Sequence, residues 1–125
     1  MVKKLATNAL VTGWGRTEDA ASSDVLLQLQ VPVQGRQLCS DFFEESRDLR
    51  GHFDPFTHLC AGARIAGQDS CNGDSGGPLV SRKGPDAPWY QIGVVSFGSN
   101  SCRVRAPGVY TNVVNFLPWI AENMV

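Results

Sequence analysis

One serine of this sequence stands in a segment suited to nucleophilic chemistry. Ser75 lies in the string Cys71-Asn72-Gly73-Asp74-Ser75-Gly76-Gly77-Pro78-Leu79, in which three of the five central residues are glycines. Glycine allows positive φ and lets a substrate approach main-chain atoms closely, as an attacking hydroxyl and its oxyanion donors require. A serine in a plain glycine-rich turn would not explain the whole string. We therefore predict that Ser75 is the nucleophile of an acyl-transfer reaction.

The same residues also satisfy the G-x-S-x-G motif of α/β-hydrolases. That motif needs a strand, a turn and a helix around the serine, and a histidine later in the chain. Both histidines, His52 and His58, precede Ser75, and Pro78-Leu79-Val80 has the character of a strand. We therefore exclude the α/β-hydrolase interpretation.

The cysteines form an even set, at positions 39, 60, 71 and 102, that could close two disulfides in an oxidising compartment. Four cysteines allow three connectivities. Zinc binding is the competing interpretation. It is disfavoured because the closest pair, Cys60 and Cys71, is spaced more widely than the two to four residues that separate paired zinc ligands.

Apolar and polar residues alternate along much of the sequence, which predicts short strands. We expect these strands to position the residues described above. The alternation is clearest from Leu27 to Val33, where Pro32 indicates an edge or a bulge. Further strand-like runs, separated by Gly, Ser, Asp and Pro, are Ala6 to Thr12, Thr57 to Cys60, Pro78 to Ser81, Tyr90 to Phe97 and Gly108 to Val113. Six short strands predict an all-β barrel or sandwich.

Two other segments depart from the strand pattern. Val113, Phe116, Leu117 and Ile120 recur at helical spacing, which predicts a short C-terminal helix capped by Asn112 or Asn115. The segment Ser40 to Phe56 is mostly polar, with phenylalanines that follow no clean period. We predict a long surface loop there, with one helical turn.

Composition limits the class of protein. The chain has 125 residues, 42% of them hydrophobic, which predicts one globular domain over residues 1–125. Its net charge is −1, without a block of like charge, so we expect no nucleic-acid partner. No apolar window is long enough for a membrane span or a signal peptide, so we expect no membrane partner and interpret the start as an internal cut.

Five ordered landmarks connect these observations to a known family. They are Val11-Thr12-Gly13-Trp14-Gly15, Leu59-Cys60-Ala61-Gly62, Asp69 to Pro78, Val95-Ser96-Phe97-Gly98 and Pro107-Gly108-Val109-Tyr110-Thr111. From Ala9 to Ile120 the chain resembles the second barrel of the chymotrypsin/trypsin family of serine endopeptidases. The resemblance implies a six-stranded antiparallel Greek-key barrel with a short C-terminal helix.

The resemblance also implies roles for individual residues. Ser75 is expected to be the nucleophile, and the backbone N–H groups of Gly73 and Ser75 to form the oxyanion hole. Asp74 would be the buried carboxylate that, in activated members of the family, pairs with a new N-terminal amine. No metal and no cofactor is expected.

Substrate recognition is expected at a second set of residues. Ser96, Phe97 and Gly98 would form the edge along which a substrate adds as a strand, with Phe97 where the family usually has Trp. Asp69 would be the acidic floor of a pocket for Arg or Lys, with Gly98 and Gly108 as its walls. An ordinary turn aspartate is the simpler alternative for Asp69.

The family pattern pairs Cys39 with Cys60 and Cys71 with Cys102. A further bridge of many relatives is absent, because Ala9 and Ser81 occupy its two positions. These disulfides imply a secreted, extracellular protein.

The histidine and aspartate of a triad have no match in this sequence. His52 and His58 lack a triad-like context, so neither is expected to act as the base. The expected partners are the missing N-terminal barrel and protein or peptide substrates with Arg or Lys at the cleavage site. The chain alone is then expected to be inactive. The alternative is a non-catalytic homologue that acts as a binding or regulatory module, which the intact Ser75 disfavours.

Overall fold

The computed structural model describes residues 8–15, 24–45, 50–62, 75–97 and 108–124. Within these ranges six β-strands form one antiparallel sheet, in the order β2-β1-β4-β5-β6-β3. The strands are β1 (Asn8–Gly13), β2 (Leu27–Pro32), β3 (His58–Ala61), β4 (Pro78–Ser81), β5 (Tyr90–Phe97) and β6 (Gly108–Asn112). The strands predicted from alternation are confirmed, with small shifts at their ends.

The sheet closes on itself where its two outermost strands meet. Val33, just after β2, forms a β-bridge with Ala61 of β3. The Gly62 N–H donates to the Pro32 carbonyl at 2.8 Å, which places Pro32 at the edge expected for it. Because β4, β5 and β6 follow one another and β3 returns beside β6, the order is a Greek key. The predicted all-β antiparallel barrel is confirmed.

The barrel interior is filled by one cluster of buried side chains, as alternation along the strands predicts. The cluster consists of Ala9, Val11, Val31, Ala61, Leu79, Val95 and Tyr110. Packing is tight at Gly93, where an added Cβ would lie 3.1 Å from the Tyr110 Cβ and 3.2 Å from the Leu79 Cδ2. A side chain at Gly93 would therefore displace the core.

A second cluster lies on the outer face of β3 and β6, beneath helix α1 (Arg36–Glu45). Cys39 and Phe43 of α1 are buried against Cys60 and Val109. The prediction of a long surface loop with one helical turn over Ser40–Phe56 is wrong for its first six residues, which belong to the ten-residue helix α1. The helix buries an apolar pair at i and i+4, and tertiary packing of that face stabilises it.

The predicted C-terminal helix is confirmed. A 3-10 turn over Val113–Phe116 leads into helix α2 (Leu117–Asn123). The predicted capping is wrong: Asn112 makes no side-chain capping bond, and the Asn115 side-chain amide donates to the Phe56 carbonyl. Among the described residues no helix has both the length and the apolar character needed to cross a membrane.

Candidate active site

Ser75 lies in an exposed turn that leads directly into β4. Gly76 follows it with φ of +87°, a left-handed conformation that favours glycine. The Ser75 residue is therefore accessible at the start of a strand, as a nucleophile requires. Four predicted site residues lie outside the described residues. They are Gly73 of the oxyanion hole, the amine-pairing Asp74, and Asp69 and Gly98 of the specificity pocket.

Hydrogen bonds attach the Ser75 turn to β5. The Gly76 N–H donates to the Val95 carbonyl at 2.9 Å, and the Val95 N–H donates to the Gly77 carbonyl at 2.9 Å. Since Ser96 and Phe97 follow Val95, the structure brings the predicted nucleophile beside the predicted substrate strand.

That strand carries a β-bulge. Val95 pairs with Tyr110, whereas the next pair joins Phe97 to Val109, so Ser96 is the extra residue on β5. Bulges change the direction of side chains and are frequent next to active sites. Gly108, the predicted pocket wall, is buried at the start of β6 and pairs with Ala61.

An aromatic row, which no sequence pattern predicted, extends outward from Phe97. The rings of Phe97 and His58 make an edge-to-face contact with centroids 5.4 Å apart. The His58 ring lies 5.8 Å from that of Phe53, which stacks on Phe43 at 5.4 Å. These residues come from separate elements at irregular spacing, so no periodicity in the sequence could indicate the contact.

Hydrogen bonds fix the position of His58. Its Nδ1 accepts the Asp54 N–H at 2.9 Å, and its own backbone N–H donates to the Asp54 carbonyl at 2.9 Å. Burial lowers the pKa of the imidazole, and the nearby Asp54 carboxylate opposes this shift. The pKa of the Asp54 carboxyl is itself lowered, chiefly by the hydrogen bond from the Phe56 N–H.

His58 is poorly placed to serve Ser75 as a base. Paired residues run from His58 to Thr111, then to Val94 and to Pro78, which follows the Ser75 turn. Three strand spacings separate the ends of this row by about 14 Å along the sheet. The Nδ1 lone pair is also already engaged. His52 is exposed in the turn before Phe53.

One of the two predicted disulfides falls within the described residues. Cys39 and Cys60 are bridged, with Cα atoms 6.0 Å apart, as the family pattern predicts. Cys71 and Cys102 lie outside the described residues. Ser81, at one position of the absent bridge, is buried and donates its hydroxyl to the Asn8 carbonyl at 3.0 Å. In the described part of the chain no three potential metal ligands form a group.

An apolar pocket lies on the outer face of the sheet, beside helix α2. Val94 and Thr111 belong to the row of paired residues that begins at Pro78, and paired residues point to the same side. With α2 they enclose a cavity of about 370 Å³, lined by Val94, Thr111, Val113, Phe116, Trp119 and Ile120. Trp119 is 63% exposed, so this pocket is open to solvent.

Comparison with known proteins agrees with the architecture and the serine motif. A profile of the family described as Trypsin matches residues 2–120. The chain is 40% identical over 121 residues to "Serine proteinase stubble" of Drosophila melanogaster, covering 96% of this chain and 15% of that protein. It is 44% identical over 119 residues to "Serine protease grass" of the same species, covering 91% and 29%.

A third relative is the "Proclotting enzyme" of Tachypleus tridentatus, which is 40% identical over 116 residues, covering 92% of this chain and 29% of that protein. The chain thus spans less than a third of the length of these relatives. The match extends over nearly all of the chain and includes the exposed Ser75 turn and the barrel that carries it. The chain belongs to the trypsin family of serine proteases.

Proposed function

We propose that this chain is the nucleophile-bearing half of a serine endopeptidase that cleaves proteins or peptides after Arg or Lys. The observation that carries the proposal is the exposed Ser75 turn, which is hydrogen-bonded to β5 immediately before Ser96 and Phe97. These bonds support the proposal because they hold the Ser75 turn against β5, the strand along which an extended substrate would bind.

In the proposed reaction the Ser75 Oγ attacks the scissile carbonyl carbon and forms an acyl-enzyme, and water then releases the acyl group. A base takes the hydroxyl proton and returns it to the leaving amine. The N–H groups of Gly73 and Ser75 would stabilise the oxyanion, which is worth roughly 3–4 kcal/mol for a single such donor.

Specificity for a basic side chain rests on Asp69, with Gly98 and Gly108 as the pocket walls. A buried carboxylate is costly unless it meets an opposite charge, so the pocket would favour Arg or Lys. Replacing Asp69 by Ser should reduce turnover of basic substrates by about three orders of magnitude or more, while Ser75 still reacts with a nonspecific acylating reagent. A preference for Phe or Leu in the unchanged protein would contradict the pocket assignment.

The base and its carboxylate partner would be supplied by a separate first barrel. The support is a surface that begins at Pro78, beside the Ser75 turn, and runs through Val94 and Thr111 into the apolar pocket. An exposed apolar surface of this kind marks an interaction site. A first barrel docked there would bring its histidine to Ser75. The Cys39–Cys60 disulfide supports an extracellular location.

The test is an assay of an Arg-containing ester and an Arg-containing amide with the purified chain, alone and mixed with the matching first barrel. We expect negligible turnover by the chain alone, full turnover in the mixture, and loss of turnover on Ser75→Ala. Turnover by the isolated chain that disappears in His52→Ala or His58→Ala would overturn the proposal. Saturable peptide binding without turnover in the mixture would favour the non-catalytic alternative.

A further inference from the structure

The His58 side chain links two parts of the outer face that are distant in sequence. Its ring lies between Phe53, in the segment that follows α1, and Phe97, at the end of β5. Phe97 in turn packs against the cluster formed by α1, β3 and β6. His58 therefore contacts Phe97, the aromatic residue of the predicted substrate strand, although His58 itself belongs to β3.

The hydrogen bond to Nδ1 makes the contact between His58 and Phe97 depend on the protonation state of the imidazole. An imidazole nitrogen accepts a hydrogen bond only while it carries no proton. The Asp54 N–H donates to Nδ1, so the observed turn requires the neutral ring with its proton on Nε2. The turn is further closed by the Phe56 N–H, which donates to the Asp54 carboxylate, and by the Asn112 N–H, which donates to the Thr57 carbonyl.

We propose that neutral His58 is a positioning residue that holds Phe97 in place for extended substrates, and that acid releases it by breaking the Asp54 N–H···Nδ1 bond. The inference rests on the proposed function for the role of Phe97 in substrate binding. His58 itself acts through Phe97 and does not touch the reacting atoms.

The groups around His58 determine the pH at which release occurs. Its neighbours on β6 and β5 are the uncharged Thr111 and Phe97. Among the described residues the charged group that acts on the imidazole is Asp54, which favours the cation. Burial has the larger effect and lowers the His58 pKa below its ordinary value of 6.5. The neutral, positioned form therefore predominates at pH 6.5, and the midpoint of release lies below that value.

The first experiment observes the switch directly and does not need activity. The histidine and phenylalanine rings of the protein are isotopically labelled and followed by NMR between pH 8 and pH 4, with His52→Asn used to assign the two histidines. We expect Nδ1 of His58 to show the chemical shift of an unprotonated acceptor at neutral pH, and the Phe97 ring signals to change with the midpoint of His58. Phe97 signals that do not follow His58 would overturn the inference even if the protein is an active protease.

The second experiment measures consequences for binding in the assembled protease. For an extended peptide amide we expect KM to rise roughly fivefold, about the effect of one hydrogen bond, as the pH falls through the His58 midpoint, while kcat changes in parallel with that of a short ester. The short ester does not reach Phe97, so its KM should stay constant.

Two variants of His58 distinguish the contribution of its aromatic ring from that of its hydrogen bond. His58→Asn keeps an acceptor for the Asp54 N–H but does not titrate, and His58→Phe keeps an aromatic ring but has no acceptor. We expect KM for the extended peptide to be independent of pH in both, and close to the wild-type acid value in His58→Phe. His52→Asn is the matched control and should keep the wild-type pH dependence. Persistence of the acid rise in His58→Asn would overturn the inference, whereas absence of all turnover with normal NMR coupling would count against the proposed function alone.

Discussion

Two neighbouring regions of the outer sheet face are covered to very different extents. In the first region, Cys60 and Val109 are buried under helix α1, and the Cys39–Cys60 disulfide ties that helix to β3. In the second region, Val94 and Thr111 line a pocket of about 370 Å³ beside α2, whose Leu117 and Trp119 are 50% and 63% exposed. Helix α1 thus buries the first region, whereas the second leaves apolar side chains exposed to solvent.

The open region belongs to the row of paired residues that begins at Pro78, just after the Ser75 turn. Leaving apolar area in water forgoes roughly 25 cal/mol per Å², so such a surface is retained where something else buries it. The covered region, in contrast, includes Phe97 and its aromatic neighbours, at the end of the predicted substrate strand. Under the proposed function, the barrel would supply substrate binding by itself, and a docked first barrel would complete the chemistry.

The largest expected effect is in the covered region. Phe43→Ala should lower the free energy of unfolding by about 3–5 kcal/mol, because the ring is fully buried and stacks on Phe53. Phe56→Ala is the matched control, since that ring is 63% exposed and its loss should cost less than about 1 kcal/mol. Urea denaturation of both variants measures the difference, and similar losses would contradict the assignment of the α1 region as a second core.

The next effect concerns the disulfide. Replacing both Cys39 and Cys60 by Ala removes a bridge with a sequence separation of 21 residues, which constrains the unfolded chain by about 3 kcal/mol. We expect the free energy of unfolding, measured by urea denaturation, to fall by this amount. The helix signal of α1 should be lost first. A loss below about 1 kcal/mol would mean that packing of Phe43 alone holds the helix in place.

The outcome for α1 illustrates what the sequence could predict. Alternation located the strands because each has one face toward the interior, and period two is a strong signal for that arrangement. The C-terminal helix was predicted from four apolar residues at helical spacing. Helix α1 was missed because its buried face consists of little more than Cys39 and Phe43, and a single apolar pair at i and i+4 is too short a pattern to distinguish a helix from a loop.

Some features of the candidate site could likewise be predicted from the sequence, and others could not. The string around Ser75 is contiguous, so a nucleophile could be proposed there from residue types alone, and the structure adds the bonds that join it to Val95. The contact between His58 and Phe97 joins residues 39 positions apart and could not be predicted, because neither position has a pattern that specifies its partner. The bulge at Ser96 is likewise a property of strand pairing, which a single strand's sequence does not determine.

The smallest effect on stability is expected in the open region. Trp119→Ser should change the free energy of unfolding by no more than about 1 kcal/mol, because most of the ring is already in solvent. The same substitution should reduce self-association of the isolated chain, since it removes the largest exposed ring at the apolar pocket. Sedimentation velocity at increasing concentration measures the association.

Trp14→Ser is the control, because Trp14 is 58% exposed and does not line that pocket. Equal reduction by both substitutions would mean that association follows general surface hydrophobicity. A selective effect of Trp119→Ser would place the contact on the face beside Ser75, where the proposed first barrel would dock.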